Sequence, residues 1–450
     1  MANIIFDFNK ITGKIKPMNS VGQPPYVPWS DAYMHYLTDA NITYSRLHDV
    51  GGTFGGNLYV DIPNIFRDFS ADENDPSAYD FTFTDILIKA VFDADCEPIF
   101  RLGVSIENHS SIKAYRIYPP TDYDKWARIC EHIIMHYREG WADGFNYDIT
   151  YWEIWNEPDF EPEREKNQMW LGSAEDFYRL YAVTASHLKK RFGDDIKIGG
   201  YGSCGFYGIF ADPKKYGMDV DLRVDAWAQD ISHVYHIDFF RGFLSYINEH
   251  NAPLDFFSWH TYCNVPDAEK IADYTDKVLT EYGRGDIETM LNEWNPTPGN
   301  ECHGSSEACA NAAAMMCAMQ NKKTSILCFY DARMRASDFG SLFNPLTAQP
   351  YSTYYAFAAF GEMLALENQT YCQCDTDGIY TVSAADGANF IAMISNISGK
   401  DEEISANIGG KADVYLIDWY NLYTKTKLDA SHFTLKNNQT AIIKGIYNQA

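Results

Sequence analysis

The feature that most constrains this chain is an alternation of short β-type runs with amphipathic helical stretches, repeated about eight times between residues 15 and 364. The β-type runs are Ile15–Val21, Ile42–His48, Pro98–Val104, Thr150–Trp155, Ile196–Tyr201, Leu254–His260, Glu288–Asn292 and Ser325–Tyr330. The helical stretches between them keep a 3.6-residue period. In 122–140, Trp126, Ile129, Cys130, Ile133, Ile134 and Tyr137 share one face and Gly140 marks the stop. Residues 174–192 repeat the pattern with Phe177, Leu180, Tyr181, Leu188 and Phe192 before Gly193, and an Ala/Met-rich helix follows Ser305 and Ser306. Weaker helical stretches lie near 30–40, 82–95, 238–250, 267–282 and 352–364.

Strand and helix in alternation imply a parallel sheet. Eight such units fit a closed (β/α)8 barrel, which carries its functional residues at the C-terminal ends of its strands. An open, doubly wound sheet would call for a glycine-rich nucleotide turn, and no G-x-G-x-x-G is present. The run Gly51-Gly52-Thr53-Phe54-Gly55-Gly56 lacks the P-loop lysine and reads as a mobile βα loop. Beyond about residue 365 the helical period fades. Runs such as Gly378–Ser383, Asn389–Ile397, Asp413–Ile417 and Thr440–Lys444 are β-rich, with Gly, Asn and Asp between them. They read as a small antiparallel sheet or sandwich. Residues 3–9 also read as a strand and are expected to join that sheet. The expected division is a barrel over 15–364 and an accessory β domain made of 1–14 plus 365–450.

Composition sets limits on partners. Lys plus Arg total 36 against 62 Asp plus Glu, a formal net charge of −26. Nucleic acid and anionic membranes would be repelled at long range, and a large acidic polymer is disfavoured as substrate. No apolar run reaches the roughly 18 residues that span a bilayer. Residues 1–9 lack the basic-then-apolar pattern of a secretory signal, so a cytoplasmic location is expected. The ten cysteines are scattered, as suits reduced, buried thiols. Cys372-x-Cys374 has no second Cys or His pair at zinc spacing, so no metal is expected.

Two glutamates carry the chemistry. In Tyr151-Trp152-Glu153-Ile154-Trp155-Asn156-Glu157-Pro158, a buried strand ends at a proline that cannot donate to a ladder. Glu157 therefore sits at the tip of the fourth strand or in the first residue of the loop. In Met290-Leu291-Asn292-Glu293-Trp294-Asn295-Pro296, Glu293 lies at the end of the seventh. The tips of strands four and seven face each other across a barrel mouth. A carboxylic acid on one side of a sugar and a carboxylate on the other is what glycosidic cleavage needs. Glu153 shares a strand face with Glu157 by the period of two and reads as a structural partner.

These motifs resemble clan A of the glycoside hydrolases, and most of all family 39, the β-xylosidase and α-L-iduronidase family. The resemblance spans the barrel and the appended sheet. Trp-Asn-Glu-Pro at 155–158 resembles the acid/base motif, which implies that role for Glu157 and a sugar 2-hydroxyl contact for Asn156. Leu-Asn-Glu-Trp-Asn at 291–295 resembles the nucleophile strand, which implies that role for Glu293. Ser-Trp-His-Thr-Tyr at 258–262 resembles the sixth-strand motif, with His260 and Tyr262 against sugar and nucleophile. Arg46-Leu47-His48 resembles the second-strand motif, with Arg46 beneath the nucleophile and His48 on sugar hydroxyls. The eighth strand ends Cys328-Phe329-Tyr330-Asp331-Ala332-Arg333, which departs from the acidic pattern of the xylosidase branch. Tyr330 and Asp331 are candidates for substrate contact, and Arg333 pairs with Asp331 or Asp338 or binds a carboxylate. His132, His136, His187, His233 and His236 read as ordinary surface or packing residues.

The implied activity is a retaining double displacement, exo-acting and β-xylosidase-like, on a glycoside or oligosaccharide, without metal or organic cofactor. An endo-acting glycanase, an α-L-arabinofuranosidase and a non-catalytic carbohydrate-binding barrel remain open alternatives. A homo-oligomer is an expectation of the resemblance alone.

Overall fold

The structure, a computed structural model, describes residues 1–27, 30–50, 59–105, 117–218, 227–334, 339–408 and 411–446. It opens with a long strand, β1 (Ala2–Lys14). Eight parallel strands then close a barrel: β2 (Ser20–Gly22), β3 (Tyr44–Leu47), β4 (Glu97–Leu102), β5 (Tyr151–Ile154), β6 (Lys197–Ser203), β7 (Phe256–Thr261), β8 (Glu288–Trp294) and β9 (Ile326–Phe329). Closure is made by β2 pairing with β9, Ser20 opposite Cys328. Helices α1 (His35–Asp39), α2 (Ile62–Ile65), α3 (Thr82–Asp93), α4 (Tyr123–Glu139), α5 (Ala174–Phe192), α6 (Ile231–Glu249), α7 (Val265–Glu281), α8 (Ser306–Gln320) and α9 (Ser352–Leu364) connect them. The barrel strands are buried on both faces, which explains why β7 reads Phe-Phe-Ser-Trp-His-Thr without polar alternation.

Local chemistry fixes the helix ends. Asp122 caps α4 by accepting from Lys125 N, and Gly140 closes it at φ 72°. Ser173 and Asp176 form a reciprocal capping box at α5. Two boundaries differ from the sequence reading. The first barrel strand is Ser20–Gly22 rather than Ile15–Val21. Pro17 has no N–H, and Lys16 turns its Nζ to the carbonyls of Met319, Lys322 and Thr324 at the end of α8. The sixth helix starts at Ile231, not 238, because Asp230 caps it through Ser232 N. The Gly51–Gly56 run lies outside the described residues.

The C-terminal segment supplies β10 (Asn368–Cys374), β11 (Ile379–Ala385), β12 (Asn389–Asn396), β13 (Glu402–Ala406), β14 (Ala412–Ile417), β15 (Thr424–Lys425), β16 (His432–Leu435) and β17 (Gln439–Ile446). With β1 they form one nine-stranded sheet in the order β15-β14-β17-β12-β11-β10-β1-β13-β16. Strand β1 runs antiparallel to β10 and parallel to β13. One face of the sheet packs on α8, where Ser395 Oγ donates to the Ala310 carbonyl at 2.7 Å. Barrel on one side and sheet on the other leave α8 almost wholly buried, which accounts for its Ala, Met and Cys content. Among the described residues, no helix is long and apolar enough to cross a membrane.

The other face of the sheet buries Ala2, Ile4 and Phe6 of β1 with Phe390, Ile404, Phe433 and Leu435. Ile4 is 1% exposed. Replacing it with Ala is expected to destabilise the protein by about 2–5 kcal/mol. A lower urea midpoint would show this, and an unchanged midpoint would remove β1 from the core.

Candidate active site

Glu157 does not sit in an extended strand. Strand β5 ends at Ile154, and the chain then takes a sharp turn with Trp155 at φ 74° and Glu157 at φ 44°. Side chains with a Cβ rarely adopt this left-handed region, and here neighbours enforce it. Trp155 N donates to Leu102 O of β4 at 2.8 Å. Glu157 N points at the carbonyls of Tyr201 and Gly202 in β6, at 3.2 and 2.9 Å. Both neighbouring strands thus hold the turn.

Glu293 reaches the mouth by another device. Along β7 and β8, Trp259 pairs with Leu291 but His260 pairs with Glu293, so Asn292 is an extra residue in its strand. Such a bulge turns two consecutive side chains to one side. Both Asn292 and Glu293 accordingly meet groups inside the barrel. Asn292 Nδ2 donates to Glu153 Oε1 at 2.6 Å, and Glu293 Oε2 accepts from Arg46 Nη1 at 3.1 Å.

Arg46 joins these parts. Its guanidinium, 1% exposed, donates from Nε to Glu153 Oε2 at 2.7 Å and from Nη2 to Asn156 Oδ1 at 2.6 Å. Glu153 is fully buried and also accepts from Ser258 Oγ at 2.6 Å. The carboxylate has its charge partner and its hydrogen bonds, the condition under which a buried pair is tolerated. Its assignment as a structural partner fits this position.

The two glutamates differ in surroundings. Glu157 Oε1 lies 2.7 Å from His260 Nδ1, and burial pushes its pKa up to about 7, with the nearby Arg46 charge opposing. Glu293 accepts from Tyr262 OH at 2.5 Å as well as from Arg46. Burial raises its pKa too, while the Arg46 guanidinium pulls the other way. His260 Nδ1 is 3.7 Å from Glu293 Oε2. Burial and Arg46 draw the His260 pKa down to about 4, so the ring is neutral near pH 7. Oxygens of Glu157 and Glu293 and a nitrogen of His260 all lie within 4.8 Å of one another. These are donor types that metals use, but the Arg46 cation against Glu293 opposes a second cation at that place. Two carboxyl groups in unlike hydrogen-bonding surroundings, with an imidazole within reach of both, suit proton transfer and nucleophilic attack.

A cavity of about 370 Å³ opens above this pair. Glu157, Glu293, His48, Tyr262 and Tyr330 line it. Arg46, Asn156 and His260 stand behind them as a buried layer, each 0–1% exposed. Tyr330 OH accepts from Gln23 Nε2 at 2.8 Å and from Arg333 Nη2 at 3.2 Å, and donates to Asp49 Oδ2 at 2.9 Å. Asp331 does not line the cavity. It is fully buried, and its Oδ2 accepts from Arg333 Nε at 2.7 Å, so the strand-eight pairing of Arg333 is with Asp331. Sequence reasoning missed Asp49, which follows His48 directly and lines the cavity at φ 54°. It also took His233 and His236 for packing residues, whereas both line the cavity. His236 Nδ1 faces the Gly205 carbonyl at 3.0 Å, and burial lowers its pKa to about 4. The available signal was the Asp230-x-Ser232 cap after the fifth strand, which brings the start of α6 to the mouth. Phe160, Glu161, Cys204, Tyr207, Ser232 and Phe339 complete the lining and carried no sequence motif.

A closed parallel barrel with two unlike carboxyl groups across its C-terminal mouth is the arrangement of glycoside-cleaving barrels. The model of glycosyl hydrolases family 39 matches residues 27–301, more than half of the chain, and the chain belongs to this family. Among curated proteins, the chain is 24% identical over 229 residues to a beta-xylosidase of Geobacillus stearothermophilus, covering 49% of this chain and 38% of that one. It is 23% identical over 270 residues to a beta-xylosidase of Caldicellulosiruptor saccharolyticus, covering 54% and 46%. The matches thus span less than half the length of these relatives. Among solved structures, a glucosidase from Croceicoccus marinus superposes with a TM-score of 0.75 at 20% identity, covering 100% of this chain and 99% of that one. A monomeric beta-xylosidase from Caulobacter crescentus CB15 gives 0.68 at 13% identity, with both chains covered in full. These structural likenesses show the fold.

Gly202 tests how tightly the buried layer is set. It has φ 60°, and a Cβ there would lie 3.0 Å from both Arg46 Nη2 and His260 Nε2. Gly202→Ala is expected to displace these groups and lower kcat/KM on the order of 10²-fold while the chain stays folded. Steady-state kinetics beside circular dichroism check this, and unchanged kinetics would show that the layer has slack.

Proposed function

We propose that the protein is a retaining glycoside hydrolase, exo-acting and β-xylosidase-like, with a glycoside or oligosaccharide as substrate. The observation that carries the reading is the close approach of the two carboxyl groups, one oxygen of Glu157 and one of Glu293 lying within 4.8 Å of each other, in unlike surroundings. Retaining enzymes place the pair roughly 5–5.5 Å apart, and inverting ones leave roughly 6.5–9.5 Å for a water. The xylosidase-like part rests on family membership and on the relatives named beta-xylosidase.

Glu293, ionised and steadied by Arg46 and Tyr262, attacks the anomeric carbon. The glycosidic C–O bond breaks as Glu157 gives its proton to the departing oxygen. Glu157, now a carboxylate, takes a proton from water, whose oxygen attacks the same carbon and expels Glu293. Two inversions restore the configuration, and Glu157 regains its proton. A group with pKa near the working pH can serve in both directions.

The protonation states set the pH profile. Glu157 must hold a proton, so kcat/KM is expected to fall as pH rises through about 7. Glu293 must be ionised, so the rate also falls on the acid side, above the ordinary range of a glutamate. Glu157→Gln is expected to remove the basic limb and lower the rate about 10²–10⁴-fold on substrates with poor leaving groups. A basic limb that survives this substitution would assign the proton to another group.

Hydrolysis of nitrophenyl β-xyloside, β-galactoside, β-glucoside, α-arabinofuranoside and α-iduronide tests the class. Activity on one sugar is expected, falling to background in Glu293→Ala. Near-normal turnover in that variant would sink the nucleophile assignment. Silence of the unmodified protein across the panel would sink the exo-acting reading.

A further inference from the structure

Asp159 follows Glu157 by two residues and has no part in the mechanism above. It is fully buried. Among the described residues, no lysine or arginine pairs with it. Glu153, the other fully buried carboxyl on this segment, has Arg46 for a partner. A buried carboxyl with no cation beside it costs free energy that its hydrogen bonds only partly offset.

The contacts of Asp159 lead back to Glu157. Its Oδ2 accepts from Ser203 Oγ at 2.6 Å, and its Oδ1 accepts from Cys204 N at 3.2 Å. Ser203 is the last residue of β6. One step earlier on the same strand, the carbonyls of Tyr201 and Gly202 meet Glu157 N. The turn that carries Glu157 is thus fastened to Tyr201, Gly202, Ser203 and Cys204 in succession, the last two through the Asp159 carboxyl. Cys204 also lines the cavity, and its thiol meets both carboxyls, Asp159 and Glu157.

The groups that face Asp159 give its charge little support. They are Glu157 on its own turn, Tyr201 and Cys204 at the end of β6, Tyr178 of α5 and Tyr235 of α6. All of these are neutral or anionic. Burial pushes the Asp159 pKa up to about 7; the Ser203 and Cys204 bonds oppose the rise, and the Glu157 charge adds to it. Glu157 is faced besides by Arg46, Asp49, His260, Glu293 and Tyr262. Two buried carboxyls that feel each other titrate as a pair, and the charge of either makes the other keep its proton.

We propose that Asp159 is a positioning residue for the acid/base step: it fixes the Glu157 turn on β6, and its negative charge keeps the proton on Glu157. The inference rests on the reading of Glu157 as acid/base. The sign follows from like charges. With Asp159 ionised, Glu157 loses its proton at higher pH, so the basic limb of kcat/KM lies higher than Glu157 alone would place it. Substitution separates the two roles. Asparagine keeps the shape and accepts from Cys204 N, while the Ser203 hydroxyl turns from donor to acceptor. Only the charge is lost. Alanine removes charge and bonds together.

The experiment compares pH profiles of kcat/KM on the phenyl and 2,4-dinitrophenyl glycosides of the sugar that the nitrophenyl panel identifies. The phenyl group needs a proton in order to leave, and the dinitrophenyl group does not. On the phenyl glycoside, Asp159→Asn is expected to move the basic limb down by about half a pH unit or more, with the rate at the optimum within about threefold of the unmodified protein. Asp159→Ser carries the same limb test should the asparagine variant not fold. Asp159→Ala is expected to lower the phenyl rate about tenfold or more and the dinitrophenyl rate less than about threefold. A basic limb unmoved in the uncharged variants would overturn the charge role. Equal losses on the two substrates in a folded Asp159→Ala would overturn the positioning role. Glu157→Gln is measured alongside, and survival of the basic limb in that variant would defeat the reading of Glu157 instead, a separate outcome.

Discussion

The site depends on one buried cation. Arg46 sits beneath the barrel mouth, where its three donor nitrogens reach a structural carboxylate, the amide of Asn156 and the candidate nucleophile. A guanidinium is planar and permanently charged, so three bonds from one side chain fix three strands at once. Glu153 compensates the charge, and Ser258 and Asn292 satisfy Glu153 in turn. The nucleophile can therefore be anionic inside the protein without being the only partner of Arg46. The same cation opposes the rise in the Glu157 pKa that burial causes. One group thus lends its charge to both carboxyls while touching only one.

The unlike surroundings of the two glutamates lie in what each oxygen meets. Glu293 has a phenol and a guanidinium, both donors to a carboxylate. Glu157 has a neutral imidazole, a weaker support for charge, at a largely buried place. The proposed division between acid and nucleophile thus rests on neighbours on β3, β7 and the β7–α7 turn, not on the glutamates themselves.

Much of this was legible in the sequence. The β/α alternation carried the barrel, because buried parallel strands and their covering helices differ in period and composition. Asn-Glu-Pro marked a strand end, because proline stops a ladder. Glu157, Glu293 and His260 converge in space, as their places near strand ends implied, and Arg46, Asn156 and Tyr262 join them, as the family resemblance implied. What stayed hidden depends on register and on loops. The bulge at Asn292, which turns Glu293 inward beside it, leaves no mark in a run that reads as a plain strand. Asp331 lies at a strand tip but faces Arg333 from a buried position, and strand-end placement alone does not distinguish the two orientations. His233 and His236 lie in the first turns of α6, and a helical pattern does not mark which of its residues will line a cavity.

The position of β1 has a consequence for synthesis. Thr12 and Gln369, which meet across β1 and β10, are 357 positions apart. At cellular rates of about 5–20 residues per second, the ribosome needs roughly 20–70 s to deliver the partner after β1 has emerged. Throughout that interval a thirteen-residue strand bearing Ile4, Ile5, Phe6, Phe8 and Ile11 has an open edge and no native neighbour. The barrel segments are translated in the meantime, with their own adjacent pairings to make. An apolar strand waiting that long for its neighbour is open to mispairing, and the sheet is complete only once the C-terminal strands arrive.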